Sequence, residues 1–94
     1  MCNDTSIRQL PLGTIVATPT VLEAIPFETI VASIERHRRG DWGEVSGDDL
    51  AANEEALTTG GRMALSVYSE GESTFWIITE PDRSVTTVLF PEER

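Results

Sequence analysis

The pattern of apolar and β-branched residues predicts one short strand, three helices and then three more strands. The first strand is expected over residues 12–17, where β-branched side chains cluster. Thr18 and Pro19 predict a helix start, with threonine as N-cap and proline at the first helical position. This helix is expected to continue to about residue 25, where Pro26 interrupts it.

A second helix is predicted from residue 27 to the arginine-rich segment 36–39. Its expected buried face has the i, i+3, i+4, i+7 spacing and consists of Phe27, Ile30, Val31 and Ile34. The residues expected to lie away from this face are Glu28, Ser33 and Glu35. Gly40 is a natural C-cap residue, and the cations before it complement the helix dipole.

A third helix is predicted over about residues 47–57, because Ser46 and Asp49 resemble a capping box. Strands are expected near residues 63–68, 75–79 and 85–90, with turns at 70–72 and 80–84. The strand at 75–79 is apolar on both faces, which indicates a central position. The order β-α-α-α-β-β-β predicts an α+β fold, in which helices cover a C-terminal antiparallel meander.

The predicted organisation is a flexible leader over residues 1–10 followed by a single domain over residues 11–94. The chain has no N-terminal signal segment and no apolar run long enough to span a bilayer, which predicts a cytoplasmic protein without membrane contact. Cys2 is the single cysteine, so an internal disulfide is excluded.

The 94 residues carry a net charge of −9, and all seven bases are arginine. Such a surface repels nucleic acid, so direct nucleic-acid binding is not expected unless a local arginine patch overrides it. Three interpretations of the acidity stay open. It can reflect solubility or host composition; it can form a face that docks onto a basic protein, in the extreme as a mimic of DNA phosphates; or it can serve an enzyme with a small cationic substrate.

No nucleotide-binding loop, hydrolase elbow or zinc spacing occurs in the sequence, so no cofactor and no metal are expected. His37 is the only histidine. It is either a packed or C-capping side chain, or a general acid–base group beside arginines that could hold a phosphate. The second interpretation describes a small metal-independent ribonuclease with the candidate catalytic residues His37, Arg62, Tyr68, Arg83 and Thr86. It places the two arginines on one sheet face with the hydroxyls of Ser66, Tyr68, Thr86 and Thr87.

Two polar loops also have two interpretations each. The segment 80–84 is either an internally paired turn, with an Asx-turn at Asp82 and an Arg83–Glu80 pair, or a binding site. Trp42 is either a lid on the core or an exposed anchor for a partner.

Several sequence segments also carry a resemblance: LGTIVATP at 12–19, RHRRGDWG at 36–43, FWIITE at 75–80, DRSVTTVL at 82–89 and PEE at 91–93. With Asn53, 56–57, 61–62, Ser66 and Tyr68, they resemble a family of small bacterial proteins associated with plasmids and mobile elements. Members of this family have no settled function and are sometimes labelled type I restriction subunits. This chain departs from the pattern at Pro81, where alanine is expected, and at Arg94, where an aromatic residue is expected.

The resemblance implies a mobile-element setting, in which small acidic proteins often act against host defence or belong to toxin–antitoxin pairs. The net charge of −9, the acidic cluster at 48–55 and the lack of a catalytic motif support our first hypothesis, a non-enzymatic acidic protein-binding module, for example an inhibitor of a host defence nuclease or another nucleic-acid-handling protein. Its candidate binding residues are Asp41, Trp42, Asp48, Asp49, Glu54, Glu55, Glu80, Asp82 and Arg83. The alternatives are the ribonuclease or toxin-like domain and a self-associating homo-oligomeric module that uses an exposed sheet edge or Trp42.

Overall fold

Eight elements follow one another along residues 10–94, the part of the chain that the computed structural model describes. Their bounds are β1 Thr14–Ala17, α1 Pro19–Ala24, α2 Phe27–Arg38, α3 Gly47–Thr59, β2 Ala64–Glu70, β3 Ser73–Thr79, β4 Val85–Leu89 and a 3-10 helix at Pro91–Glu93. The predicted order β-α-α-α-β-β-β and the α+β class are confirmed. The leader lies outside the described residues except for Leu10, which is buried and donates its N–H to the Arg38 carbonyl at 2.7 Å.

One four-stranded sheet has the order β1-β4-β3-β2. Strands β2, β3 and β4 form the antiparallel meander, and β3 is a central strand with Thr79 between Ala64 and Thr86. Strand β1 pairs in parallel with β4, so Thr14 lies beside Val85. Because β1 and β4 are far apart in sequence, local patterns gave no indication of this pairing. The sheet therefore ends at β1 on one side and at β2 on the other.

The predicted caps are present at two helix starts. The Thr18 side chain accepts from the Val21 N–H, and the Ser46 hydroxyl accepts from the Asp49 N–H at 3.2 Å. At the end of α2, the Asp41 N–H donates to the Arg36 carbonyl at 2.8 Å, and the chain reverses through Gly40 at φ 85°. Capping thus fixes where these helices begin and where α2 ends.

The predicted buried face of α2 is wrong in part. Phe27 and Val31 are exposed, at 69% and 43%, whereas Ser33 is buried together with Ile30 and His37. The buried residues are therefore Ile30, Ser33 and His37, at positions i, i+3 and i+7. Their stripe is rotated about the helix axis, by roughly the angle between successive residues, relative to the stripe of apolar residues. This rotation brings His37 to hydroxyl groups of the sheet, which satisfy its polar ring atoms.

The helices cover one face of the sheet and enclose two neighbouring apolar clusters. The first consists of Val21, Ile25, Ile30, Tyr68, Phe75, Ile77 and Val88. The second consists of Leu10, Leu12, Trp42, Ala56 and Ala64. Trp76 is half-buried, and the alternation of β3 directs it away from the helices. Within residues 10–94, no helix has both the length and the apolar character that crossing a membrane requires.

Candidate functional site

The candidate catalytic histidine lies inside the protein. His37 is fully buried, and both of its ring nitrogens have hydroxyl partners: Ser66 Oγ is 2.5 Å from Nδ1 and Thr79 Oγ1 is 2.8 Å from Nε2. Thr79 continues to Thr86 at 2.7 Å, and Thr86 donates to the Leu12 carbonyl at 2.8 Å. These groups form a continuous chain of hydrogen bonds that joins α2, three strands and the segment before β1.

The donor and the acceptor of each hydrogen bond in this chain can be assigned by starting from Thr86. Since the Thr86 proton goes to the Leu12 carbonyl, Thr86 accepts from Thr79, and Thr79 in turn accepts from the Nε2–H of His37. The Nδ1 atom then accepts from Ser66, which assigns the neutral Nε2–H tautomer. Burial, with a smaller contribution from the Arg83 charge, lowers the pKa of His37 to about 4. The imidazole is neutral at pH 7.

Tyr68 is a second candidate catalytic residue that is buried. Its hydroxyl donates to the backbone carbonyl of Asp41 at 2.5 Å, and the Arg36 guanidinium lies 4.6 Å from its ring centroid. Desolvation raises the pKa of Tyr68 to about 12. This tyrosine ties β2 to the loop after α2, and it is a poor proton donor at neutral pH.

Arg83 is engaged by backbone carbonyls. Its guanidinium donates to the carbonyls of Ala56 at 2.8 Å, Arg62 at 2.7 Å and Glu80 at 3.1 Å. Ala56 lies in the last turn of α3, where its carbonyl also accepts from the Gly60 N–H at 3.0 Å and the negative end of the helix dipole attracts a cation. Arg83 has a φ of 62°, an uncommon conformation for a residue other than glycine. These three hydrogen bonds compensate for that strain and connect the 80–84 turn to α3.

The predicted cluster on one sheet face does not form as expected. Ser66, Tyr68 and Thr86 face the helices and are buried, while Thr87 projects from the opposite face because neighbouring strand residues alternate. Arg62 precedes β2 and forms an exposed ion pair with Glu55 at 3.3 Å. The five candidate catalytic residues therefore do not share an open cleft.

The 80–84 turn is internally paired. The Asp82 carboxylate accepts from the Ser84 N–H at 3.0 Å and from the Ser84 hydroxyl at 2.6 Å, the expected Asx-turn. These hydrogen bonds lower the pKa of Asp82. Arg83 does pair with Glu80, but through the Glu80 backbone carbonyl. Gly13 packs against this turn, and a Cβ at Gly13 would overlap the Ser84 carbonyl.

Trp42 forms a lid on the core, since only 3% of its surface is exposed. Its ring meets His37 edge-on at 5.5 Å, and its indole N–H donates to Glu54 Oε2 at 3.0 Å. Trp42 is thus not accessible as an exposed anchor. The next residue, Gly43, has a φ of 75°, and a Cβ there would overlap the Val67 carbonyl. Only glycine allows the loop to approach β2 this closely.

The other candidate binding residues lie on α3 and the loop before it. Residues 41–61 contain six acids and no base. We call these six residues the acidic surface: Asp41, Glu44, Asp48, Asp49, Glu54 and Glu55. Asp41 pairs with Arg36 at 2.8 Å, and this hydrogen bond lowers the pKa of Asp41.

Asp48 and Asp49 are the least constrained members of the acidic surface. Both are exposed in the first turn of α3, where the helix dipole favours negative charge. Neither forms an ion pair with any residue in the described range 10–94. Glu54, by contrast, is held by Trp42, and Glu55 is held by Arg62.

Asn53 is not among the candidate site residues that the sequence predicted. It is buried in the middle of α3, and its amide bonds both backbone groups of Leu65, donating to the carbonyl at 2.6 Å and accepting from the N–H at 2.9 Å. An asparagine inside a helix is a modest helix former, and this was the one available signal of a specific side-chain role.

No group of three or more histidine, cysteine, aspartate or glutamate side chains suited to a metal ion occurs in the described part of the chain. Comparisons with models of protein families, with curated proteins and with solved structures found no match.

Proposed function

We propose that this protein is a non-enzymatic binding module whose acidic surface docks onto a basic surface of a partner protein. The observation that carries this proposal is the run of six acids without a base over residues 41–61. This run is folded into one helix and the loop next to it. Complementary charge of this kind steers a partner toward the surface and favours basic partners over acidic ones.

The basic surfaces of nucleic-acid-handling proteins are natural complements of the acidic surface. Such proteins bind phosphates through clusters of lysine and arginine. A folded surface of carboxylates that binds the lysine and arginine cluster of such a protein would compete with the nucleic acid for that cluster. A host defence nuclease is a partner of this kind. It would be inhibited because the carboxylates occupy the sites at which it binds the phosphates of the nucleic acid.

The buried polar chain supports a binding module over a ribonuclease. A general base must come within hydrogen-bond reach of the proton that it removes. His37 is fully buried, and both of its nitrogens are engaged by Ser66 and Thr79. The Arg83 guanidinium is likewise engaged by three carbonyls, so neither group is available to a phosphate ester.

The proposal is tested by neutralising the two least constrained carboxylates. The tagged chain and its Asp48→Asn/Asp49→Asn variant are used to capture proteins from the host at physiological salt. We expect the wild type to retain a stoichiometric basic protein, and the variant to retain roughly tenfold less of it. Loss of the favourable charge–dipole term costs the helix only about 0.3–1 kcal/mol per residue, so the domain stays folded.

The matched control is Glu23→Gln/Glu28→Gln, which removes the same charge from exposed positions on α1 and α2. Glu28 also lies in the first turn of its helix. This control should retain the partner fully. Equal capture by all three proteins, or equal loss in both variants, would contradict docking through the acidic surface.

A further inference from the structure

The two edges of the sheet differ in how they are covered. At the β2 edge, Asn53 bonds both backbone groups of Leu65. Further along, the Val67 N–H donates to the Trp42 carbonyl at 3.0 Å, and the Val67 carbonyl accepts from the Glu44 N–H at 2.8 Å. The outward-facing backbone groups at these two positions are therefore paired, which protects this edge from strand addition.

The β1 edge has no such cover within residues 10–94. The N–H groups of Thr14 and Thr18 point to β4, where each bonds a carbonyl at 3.0 Å. The alternation of the strand then directs the backbone groups of Ile15 and Ala17 outward. No described strand pairs with this side of β1.

The sequence of β1 also lacks the usual protection of an edge strand. Its four residues, Thr-Ile-Val-Ala, include no lysine, no other charge and no proline. Ile15 and Val16 are 47% and 43% exposed, and they project to opposite faces of the sheet. An added strand would thus find backbone partners at the edge and apolar contact on both faces.

A groove of about 560 Å³ runs along the helix-side face of this edge. Its walls are the segment 10–13 with Ile15 on one side and the α2 residues Ile34, Glu35 and Arg38 on the other. Arg38 forms an ion pair with Glu35, so these two charges largely offset each other. The groove therefore offers apolar side chains beside an open row of backbone donors and acceptors.

Carboxylates stand near both ends of β1. At its start, the Thr14 N–H bonds Ser84, whose side chain and N–H hold the exposed Asp82. At its end, Thr18 donates its hydroxyl to Glu93 at 2.8 Å. A ligand strand with an apolar centre and basic ends would match this distribution of charge.

We propose that the edge of β1, which no described strand covers, binds an extended segment of another protein by strand addition. The segment would pair its backbone with Ile15 and Ala17, place an apolar side chain in the groove beside Ile34, and carry lysine or arginine at its ends. A second copy of this chain is a poorer occupant, because each copy carries a net charge of −9 and the two would repel. This site lies at the opposite sheet edge from the β2 strand that α3 contacts, and it does not depend on the function proposed above.

The test uses the full chain and a random peptide library displayed on phage. We expect the enriched peptides to alternate apolar residues between basic ends. A synthetic copy of an enriched peptide should bind roughly tenfold more weakly to Ile15→Lys than to the wild type. The control Leu22→Lys alters a side chain of matching exposure, 49%, on α1 and should bind the peptide as the wild type does.

A second probe leaves the protein unchanged. N-methylation of the alternate peptide residues whose N–H groups face β1 removes the donors to this edge, so binding should be lost, whereas methylation of the intervening residues should be tolerated. The proposal fails if no peptide is enriched, if Ile15→Lys binds as the wild type does, or if neither methylated peptide is impaired. It also fails if light scattering shows a dimer that Ile15→Lys converts to a monomer, since a second copy would then occupy the edge. Retention of peptide binding by Asp48→Asn/Asp49→Asn would separate this site from the acidic surface.

Discussion

At the scale of one residue, His37 is a side chain capable of acid–base chemistry whose imidazole instead forms hydrogen bonds inside the core. Its imidazole links Ser66 to Thr79, and through Thr86 the chain ends on a backbone carbonyl. Every member has a partner, and no buried side-chain nitrogen or oxygen in the described residues is left without one. A fully satisfied polar chain of this kind specifies one arrangement of helix and strands, because any slip would leave a buried polar group unpaired.

The buried imidazole predicts a specific loss of stability in mild acid. The folded-state pKa of His37 is about 4, below the ordinary value of 6.5, so the unfolded state takes up the proton first as the pH falls. The stabilisation is fully present above pH 6.5 and is lost progressively toward pH 4. Linkage gives a decrease of about 2 kcal/mol in the free energy of unfolding between pH 7 and pH 5.

Urea denaturation at pH 7, 6 and 5 measures this decrease, with His37→Gln as the control. The glutamine variant should be less stable at pH 7 but should depend less on pH over this range. An NMR titration of the His37 ring in the folded protein provides an independent reading. A ring that titrates near 6.5, or a wild-type stability that stays flat from pH 7 to pH 5, would contradict the buried neutral assignment.

At the scale of elements, the rotation of α2 determines which side chains reach the core. Ile30, Ser33 and His37 face the sheet, whereas Phe27 and Val31 face outward. The apolar pattern predicted the burial of Ile30 correctly, but it also placed Phe27 and Val31 on the buried face and Ser33 away from it. The difference arises in part because the sheet presents the hydroxyls of Ser66 and Thr79 to His37, a polar residue that a purely apolar sheet would exclude.

The rotation of α2 can be measured with a pair of substitutions. Ile30→Ala removes a fully buried side chain and should lower the free energy of unfolding by about 2–4 kcal/mol. Phe27→Ser removes the larger but exposed side chain and should change it by only about 0.5 kcal/mol or less. Chemical denaturation of the two variants gives both values. A larger decrease in the free energy of unfolding for Phe27→Ser than for Ile30→Ala would contradict this rotation and support the buried face that the apolar spacing predicted.

Local signals explain which elements could be predicted from the sequence. Thr18, Ser46 and the Asx-turn at Asp82 act through neighbours only a few residues away, so sequence spacing reveals them. The covering of Trp42 and the parallel pairing of β1 with β4 depend on residues far along the chain. The pairing of Asn53 with Leu65 likewise needs the packed positions of α3 and β2. The burial of His37, Tyr68 and Thr86 could not be predicted for the same reason, because side-chain type does not reveal burial.

At the scale of the whole molecule, the two proposed binding sites occupy opposite edges of one sheet. Helix α3 contacts β2, which closes one edge, and β1 lies at the other. The acidic surface suits a broad basic surface, whereas the β1 edge suits an extended strand. A partner, or two partners, could therefore engage both sites at the same time without competition.

The absence of lysine from the whole chain allows docking through the acidic surface to be tested by cross-linking. A carbodiimide joins carboxylates to amines with no spacer, so links from this chain to lysine must reach another protein. The captured complex would be cross-linked, digested and read by mass spectrometry. We expect links from Asp48, Asp49 and Glu55 to partner lysines. Links confined to Glu23, Glu28 and Glu92, with none from α3, would contradict docking through the acidic surface.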